Sequence, residues 1–146
     1  MHVIGVIAEY NPFHKGHLYQ INKIKEKYPN SLLVVVTSSS FTQRGNISLL
    51  NKWDKTKIAL ENNVDLVVEL PFVYSTQSSD LFAEGAISIL NALKIDTLVF
   101  GTERDNISDL ELLADIQINN IEYQDKVKEY LSQGLNYATS TNKALE

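Results

Sequence analysis

The chain has 146 residues, of which 44% are hydrophobic and 21% charged, proportions typical of a globular protein and not of a disordered or fibrous one. It contains no cysteine, which excludes a disulfide scaffold and a thiolate zinc site, and it has neither a signal peptide nor an apolar run near the ~20 residues of a membrane span. We therefore expect a cytoplasmic protein with no membrane partner, and the net charge of −5 argues against this stretch as the main nucleic-acid surface.

Short apolar segments alternate with helical patterns along most of the chain, which is typical of a parallel α/β sheet. The β-rich segments 3–8 and 32–37 predict two strands, of which the first, an unbroken apolar run, is expected to be buried on both faces. Between them, the spacing of Leu18, Ile21 and Ile24 predicts a helix over about 17–27 with one side facing the core. The elements predicted next are, in chain order, a helix capped by Asn51, a strand over 65–70, a helix capped by Ser78 or Ser79, a strand over 97–100 and two helices within 107–133.

Four strands with intervening helices predict a doubly wound, Rossmann-like parallel sheet of at least four strands with right-handed crossovers. We expect this sheet to form a single domain over residues 1–146. In such sheets, ligands bind outside the carboxyl ends of the strands. The segments expected at that edge are 9–17, 38–46, 71–79 and 101–105.

A His-x-Gly-His motif, formed by His14, Gly16 and His17, follows the first predicted strand and begins the first predicted helix. A helix N-terminus carries unpaired N–H groups and the positive end of the helix dipole, and it therefore binds anions. Glycine lets the backbone approach a phosphate closely, and two imidazoles can donate hydrogen bonds to oxygens whose charge grows during transfer. The motif therefore predicts a phosphate site at the start of the helix, with His14 and His17 as hydrogen-bond donors to the phosphate oxygens.

Two other interpretations of these histidines are open from the sequence. They could be ordinary loop or helix-capping residues, or they could bind a metal together with carboxylates, although the sequence has no HExxH-like pattern. We expect no metal site. The glycine-rich motifs of dinucleotide-binding and P-loop proteins do not occur in the sequence.

The motif resembles the signature of the HxGH nucleotidylyltransferase superfamily, and a similarity to one of its families extends over nearly the whole chain. Residues 9–17 (EYNPFHKGH) resemble the opening of the bacterial tRNA(Met) cytidine acetate ligases. Further stretches that resemble this family are FTQRG at 41–45, Lys52-Trp53, VDLVVELP at 64–71, SILNAL at 88–93 and FGTE at 100–103. The sequence departs from the family pattern at Ser39, Ile47 and Lys55, where a glycine, a proline and an arginine are usual.

The resemblance implies an enzyme that activates acetate with ATP to acetyl-adenylate and transfers the acetyl group to N4 of the wobble cytidine of elongator tRNA(Met). It implies that His14 and His17 hold the ATP phosphates and stabilise the transition state, with Mg²⁺ as a further cofactor. The expected partners are therefore ATP, acetate and elongator tRNA(Met). The ATP-binding residues that the resemblance implies are Ile7, Ala8, Glu9, Tyr10, Asn11, Pro12, Phe13, His14, Lys15, Gly16, His17, Leu18, Tyr19, Gln20 and Gly101.

Members of this family are much longer than this chain, so we expect a catalytic domain truncated at its C-terminus, with the main tRNA contacts in the missing part. Two alternative functions are open from the sequence. One is a small-metabolite adenylyltransferase of the pantetheine-phosphate or nicotinamide-mononucleotide type, which shares the histidine motif. The other is a non-catalytic ATP-binding fragment.

Four further residues are weaker candidates, each with a plain structural alternative. Arg44 could hold a phosphate or the tRNA backbone, or it could be a solvated loop arginine. Trp53 could stack on a base or belong to the core, and Glu69 could orient a substrate or be buried with a backbone hydrogen bond. Gly101, beside Thr102, could be a second nucleotide contact or a simple turn.

Overall fold

The structure is a computed structural model that describes residues 1–102 and 106–145. Its elements are, in chain order, β1 (Val3–Ile7), α1 (Lys15–Lys27), β2 (Leu32–Ser38), α2 (Lys52–Glu61), β3 (Leu66–Leu70), α3 (Phe72–Ser75), α4 (Ser79–Ala92), β4 (Thr97–Leu98), α5 (Ile107–Asn119), α6 (Ile121–Ser132) and α7 (Tyr137–Ala144). Residues 103–105 of the expected ligand-facing segment 101–105 lie outside the described residues.

The four strands of the described residues form one parallel sheet in the order β3-β2-β1-β4. Gly5 of β1 pairs with Val34 of β2 on one side and with Leu98 of β4 on the other. The prediction of a doubly wound α/β sheet with at least four strands is confirmed.

Helices cover both faces of the sheet, because successive side chains of the buried strands point to opposite faces. Beneath α1 and α2 lies one core, made of Ile4, Val6, Ile21, Ile24, Leu33, Val35 and Ala59. Beneath α4 lies another, made of Val34, Val36, Leu70, Ala86 and Leu90. A Cβ on Gly5 would lie 2.6 Å from Cδ1 of Ile95 and 2.9 Å from Cδ2 of Leu90, so glycine lets this end of α4 lie close to β1.

The direction of winding reverses at β1. The chain runs from β1 through α1 to β2 on one side of β1, and after β3 it returns to the other side as β4. In open α/β sheets, such a reversal leaves a crevice outside the carboxyl ends of the two strands that flank it. The fold therefore places a candidate binding crevice where β1 ends at Ile7 and β4 ends at Leu98.

Three elements differ from the sequence-based expectation. α1 begins at Lys15 and not near residue 17, because His14 caps the helix one turn earlier than the apolar stripe indicates. The short helix α3 follows Pro71, where only the end of a strand was expected. β4 comprises two residues and not four, because only Ile4 and Gly5 of β1 pair with it.

The chain divides into two compact units, Met1–Gly101 and Thr102–Glu146. In the second unit, Tyr123, Val127 and Ala144 form a small core. Its first two helices are separated at Asn120, close to the break predicted near 119–120, and the side-chain oxygen of Asn120 accepts a 2.8 Å hydrogen bond from the backbone N–H of Tyr123. The expectation of a single domain stays a prediction. Among the described residues, no helix is both long enough and apolar enough to cross a membrane.

Candidate active site

The turn from β1 to α1 is held together by an aromatic cluster. Tyr10 adopts a positive φ of 47°, and its side chain is buried. Its ring contacts the Phe13 ring edge-on at 5.0 Å between centroids and the His17 ring at 4.8 Å. Burial raises the pKa of Tyr10 to about 12, so its hydroxyl stays protonated. The cluster fixes the position of His17 from the core side.

His14 and His17 are joined through the backbone at the start of α1. His14 is the N-cap residue, and its Nδ1 accepts a 3.0 Å hydrogen bond from the N–H of Gly16. The N–H of His14 donates to Nδ1 of His17 at 3.3 Å. A neutral imidazole whose Nδ1 accepts carries its proton on Nε2. Assigned from these bonds, both imidazoles present Nε2–H as a donor.

The two imidazole rings are stacked, with centroids 3.8 Å apart and planes 25° from parallel. His14 is exposed, whereas His17 is half-buried. Burial, together with the charge that His14 carries when protonated, lowers the pKa of His17 below its usual value. His17 is therefore neutral at pH 7 and acts as a hydrogen-bond donor and not as a cation.

Gly16 has a role in this cap that the motif did not predict. A Cβ at this position would lie 2.9 Å from Cε1 and 3.0 Å from Nδ1 of His14. Glycine therefore leaves room for the His14 imidazole to lie against the backbone and cap α1. In this arrangement the N–H of Gly16 is bonded to His14.

A cavity of about 570 Å³ lies at the β1–β4 crevice, a volume within the usual range for small-molecule sites. Of the sequence-predicted ATP-binding residues, it is lined by Ile7, Ala8, Gly16, His17, Tyr19, Gln20 and Gly101. Among the described residues, it is also lined by six that the sequence did not indicate, namely Lys23, Ile24, Lys27, Tyr28, Val99 and Phe100. Lys23 could have been predicted from the helix itself. It lies four residues after Tyr19 on α1, and side chains three and four residues apart share one helix face.

The other predicted ATP-binding residues surround the turn and do not line this cavity. The Glu9 carboxylate accepts a 2.6 Å hydrogen bond from the N–H of Gln43. The Asn11 side-chain oxygen accepts from the N–H of Leu49 at 2.7 Å. These bonds tie the turn to the 38–50 segment. The remaining residues in this group are Tyr10, Pro12, Phe13, His14, Lys15 and Leu18.

Lys55 is a buried lysine that sequence analysis did not identify as part of the site. Its side chain is 1% exposed, and its Nζ donates to the carbonyl oxygen of Ser38 at 2.6 Å and to that of Glu9 at 3.2 Å. These two carbonyls lie at or just beyond the ends of β2 and β1. Burial lowers the pKa of the Lys55 ammonium, and the nearby carboxylates of Glu9 and Glu69 act in the opposite direction. Lys55 thus links the end of β2 to the segment that follows β1.

A second, smaller cavity of about 210 Å³ opens beside the ends of β2 and β3. Lys52 and Glu69 form an ion pair across it at 2.8 Å. Glu69 is 46% exposed, so the alternative of a buried carboxylate is wrong. Trp53, which also lines this cavity, is 73% exposed, so the alternative that places it in the core is wrong as well. Its side chain lies on the solvent side of α2 although Ile58 and Ala59 of the same helix are partly or fully buried.

Metal ligands do not cluster in the described part of the chain. No group of three or more histidine, aspartate or glutamate side chains there is arranged to hold a metal ion. Arg44 is exposed on the loop between β2 and α2.

Comparisons with known proteins give the family to which the chain belongs. The family model described as HIGH nucleotidyl transferase matches residues 1–146. The chain belongs to the HIGH nucleotidyl transferase family. A tRNA(Met) cytidine acetate ligase of Fusobacterium nucleatum is 42% identical to this chain, over 98% of this chain and 36% of the relative. One from Mycoplasma mobile is 45% identical over 98% of this chain and 48% of the relative. The resemblance to these ligases is confirmed, and the chain spans less than half of their length.

Solved structures give the same result for the fold of this HIGH nucleotidyl transferase. Apo Thermotoga maritima TmcAL matches with a TM-score of 0.92 and 38% identity, over 99% of this chain and 35% of that chain. Thermotoga maritima TmcAL bound with alpha-thio ATP matches with a TM-score of 0.88 and 39% identity, over 99% of this chain and 36% of that chain.

Proposed function

We propose that this chain forms the ATP-binding and adenylate-forming part of a tRNA(Met) cytidine acetate ligase. The observation that carries the proposal is the pair of stacked histidines at the N-terminus of α1, of which His17 lines the crevice cavity. The names of the relatives and the ATP analogue bound to Thermotoga maritima TmcAL support it. The proposed reaction takes place in the cytoplasm, where the tRNA substrate is found.

In the proposed binding mode, ATP occupies the crevice with its triphosphate against the start of α1. Residues 7–20 and Gly101 form the site together with Lys23 and Lys27, which add positive charge along α1. A Cβ on Gly101 would meet no atom within 4 Å, so the backbone there is open to a ligand. The apolar wall formed by Val99 and Phe100 suits the flat faces of a purine.

The proposed first step is an in-line displacement at the α-phosphorus. A carboxylate oxygen of acetate forms the new P–O bond, the bond to the bridging oxygen breaks, and pyrophosphate leaves. The Nε2–H groups of His14 and His17 donate to phosphate oxygens as their charge grows, which lowers the barrier without a proton transfer. In the second step the cytidine N4 attacks the acetyl carbonyl carbon, AMP leaves and the nitrogen loses a proton.

The residues of the crevice fit ATP better than they fit a protein-bound Mg²⁺. Among the described residues that line the cavity, none carries a carboxylate, and Mg²⁺ prefers oxygen ligands. When bound, the ion would neutralise charge on the phosphates. We therefore propose that Mg²⁺ is carried mainly by ATP, and we assign no residue to it.

The test is acetate-dependent exchange of labelled pyrophosphate into ATP, measured for the gene product that carries this sequence. We expect exchange with acetate, and about a hundred- to thousand-fold loss in His17→Ala, because removing one transition-state donor costs about that much. His2→Ala is the matched control, since His2 bonds Thr97 at 3.0 Å and does not line the cavity. Exchange that requires a phosphopantetheine or nicotinamide mononucleotide acceptor and not acetate would contradict the proposal, as would normal exchange in His17→Ala.

A further inference from the structure

The second cavity has a composition that the ATP site does not explain. It is lined by hydroxyl groups, one ion pair and one exposed indole, and it opens at the carboxyl ends of β2 and β3. At about 210 Å³ it is smaller than sites for drug-sized ligands, so it suits a single small ring. β2 is the neighbour of β1 in this parallel sheet. The second cavity therefore lies at the same edge of the sheet as the crevice cavity.

Trp53 and Glu69 are held around this cavity by Lys52. The Nζ of Lys52 lies 5.3 Å from the centroid of the Trp53 ring and 2.8 Å from the Glu69 carboxylate. Hydrogen bonds from Lys52 and then from Ser39 lower the pKa of Glu69, so its carboxylate is ionised at neutral pH. The indole remains 73% exposed, which leaves most of its surface free to stack against a ligand.

We propose that this cavity binds the cytosine base that accepts the acetyl group. The ring stacks on Trp53, and the exocyclic N4 amine donates to Glu69. Unstacked RNA bases are commonly bound on aromatic side chains, and a carboxylate is the natural acceptor for the N4 amine of cytosine. The Lys52 ammonium donates to the ring nitrogen beside that amine. The inference rests on the proposed function, since it assigns the acceptor of that reaction.

The link between the two cavities supports this assignment. The Nζ of Lys55 donates to the carbonyl oxygens of Ser38 and Glu9. Ser38 lines the second cavity, and Glu9 directly follows Ala8, which lines the crevice cavity. The Ser38 hydroxyl also lies 3.5 Å from the Glu9 carboxylate. The two cavities are thus joined by one connected group of residues at neighbouring strand ends.

The test uses the fluorescence of Trp53, which is the only tryptophan of the chain. We expect cytidine to quench it saturably, and N4,N4-dimethylcytidine to bind roughly five- to tenfold more weakly because it has lost the N–H donors. Glu69→Met is expected to abolish this difference between the two nucleosides. Glu61→Met is the matched control, since Glu61 is also an acidic residue paired with a lysine of α2, Lys57 at 3.9 Å, and lies outside the cavity.

Three results would overturn the inference: no quenching by cytidine, equal affinity for both nucleosides, or a preference that survives in Glu69→Met. ATP binding to the same protein, measured by calorimetry, separates this inference from the proposed function. Cytidine that fails to quench while ATP binds refutes only the base site. Cytidine binding with the expected preference in a protein that does not bind ATP supports the base site and contradicts the proposed function.

Discussion

The chemistry of the two motif histidines is set by their backbone hydrogen bonds. Because each Nδ1 accepts an N–H from the start of α1, each proton resides on Nε2 and faces away from the helix backbone. A donor fixed in this way needs no reorganisation when charge develops on a phosphate oxygen. The cap of the helix and the proposed catalytic groups are therefore the same two side chains.

Lys55 has an effect on stability that can be tested separately from catalysis. We predict that Lys55→Met lowers the free energy of unfolding by about 1–3 kcal/mol, because the carbonyl oxygens of Glu9 and Ser38 lose a charged donor in a buried place. Urea denaturation followed by circular dichroism measures the change. The same substitution at Lys57, whose side chain is 73% exposed, is the control and should change the value by less than about 0.5 kcal/mol.

An equal, small effect of both lysine substitutions would show that the two loops do not depend on the buried ammonium. A large effect of Lys55→Met on acetate-dependent exchange with no loss of stability would also contradict a purely structural role for Lys55, whose side chain lines neither cavity.

The site residues differ in how far the sequence could predict them. His14 and His17 could be identified because their chemistry and spacing are local and both lie at the start of a recognisable helix. Lys55 could not, because a lysine in an amphipathic helix is usually solvated, and its burial comes from carbonyl groups far away in the sequence. Trp53 shows the opposite case, since the sequence left a core position open for this helical aromatic residue, whereas its side chain is 73% exposed.

At the scale of the element, the histidine cap makes α1 sensitive to pH. The folded-state pKa of His17 lies below the ordinary value near 6.5, because burial disfavours the charged ring. Above pH 6.5 the contribution of the neutral His17 ring to the free energy of unfolding is fully present. As the pH falls through 6.5 and on to the lower folded-state pKa, the unfolded chain binds the proton first, and this contribution is lost.

We therefore predict that the melting temperature falls between pH 7 and pH 5, and that His17→Asn reduces the part of this fall that comes from the cap. Asparagine keeps an oxygen that can accept the His14 N–H but does not titrate. Thermal unfolding across this pH range gives the measurement, with His2→Asn as the control. A wild-type and a His17→Asn protein with parallel pH profiles would show that the cap does not titrate.

The elements themselves follow from local signals where those signals are strong. The Asn51 side chain accepts from the N–H groups of Trp53 and Asp54, as its position before a helical pattern predicted. α3 carried no such signal, since its four residues are too few for a hydrophobic period. The length of β4 depends on pairing with β1, which local sequence does not encode.

At the scale of the whole molecule, the net charge bears on which part of the longer relatives supplies the affinity for tRNA. The net charge of −5 means that the 18 acidic side chains outnumber the 13 lysine and arginine side chains on this part of the protein. Affinity for tRNA depends on lysine and arginine side chains that release counterions from phosphates. The proposed base site can select a cytosine, but it cannot supply the affinity for a whole tRNA.

The last prediction follows from this division. The chain should fold by itself, because the core residues of both compact units lie within it, and it should bind ATP weakly and tRNA(Met) much more weakly than a full-length relative does. Filter retention of labelled tRNA at low salt, run beside full-length Thermotoga maritima TmcAL, is the measurement. A series of rising salt concentrations serves as the control, and the full-length protein should show the steeper loss of affinity because it releases more counterions. Comparable affinity and an equal salt slope for the two proteins would mean that the tRNA surface already lies within these 146 residues.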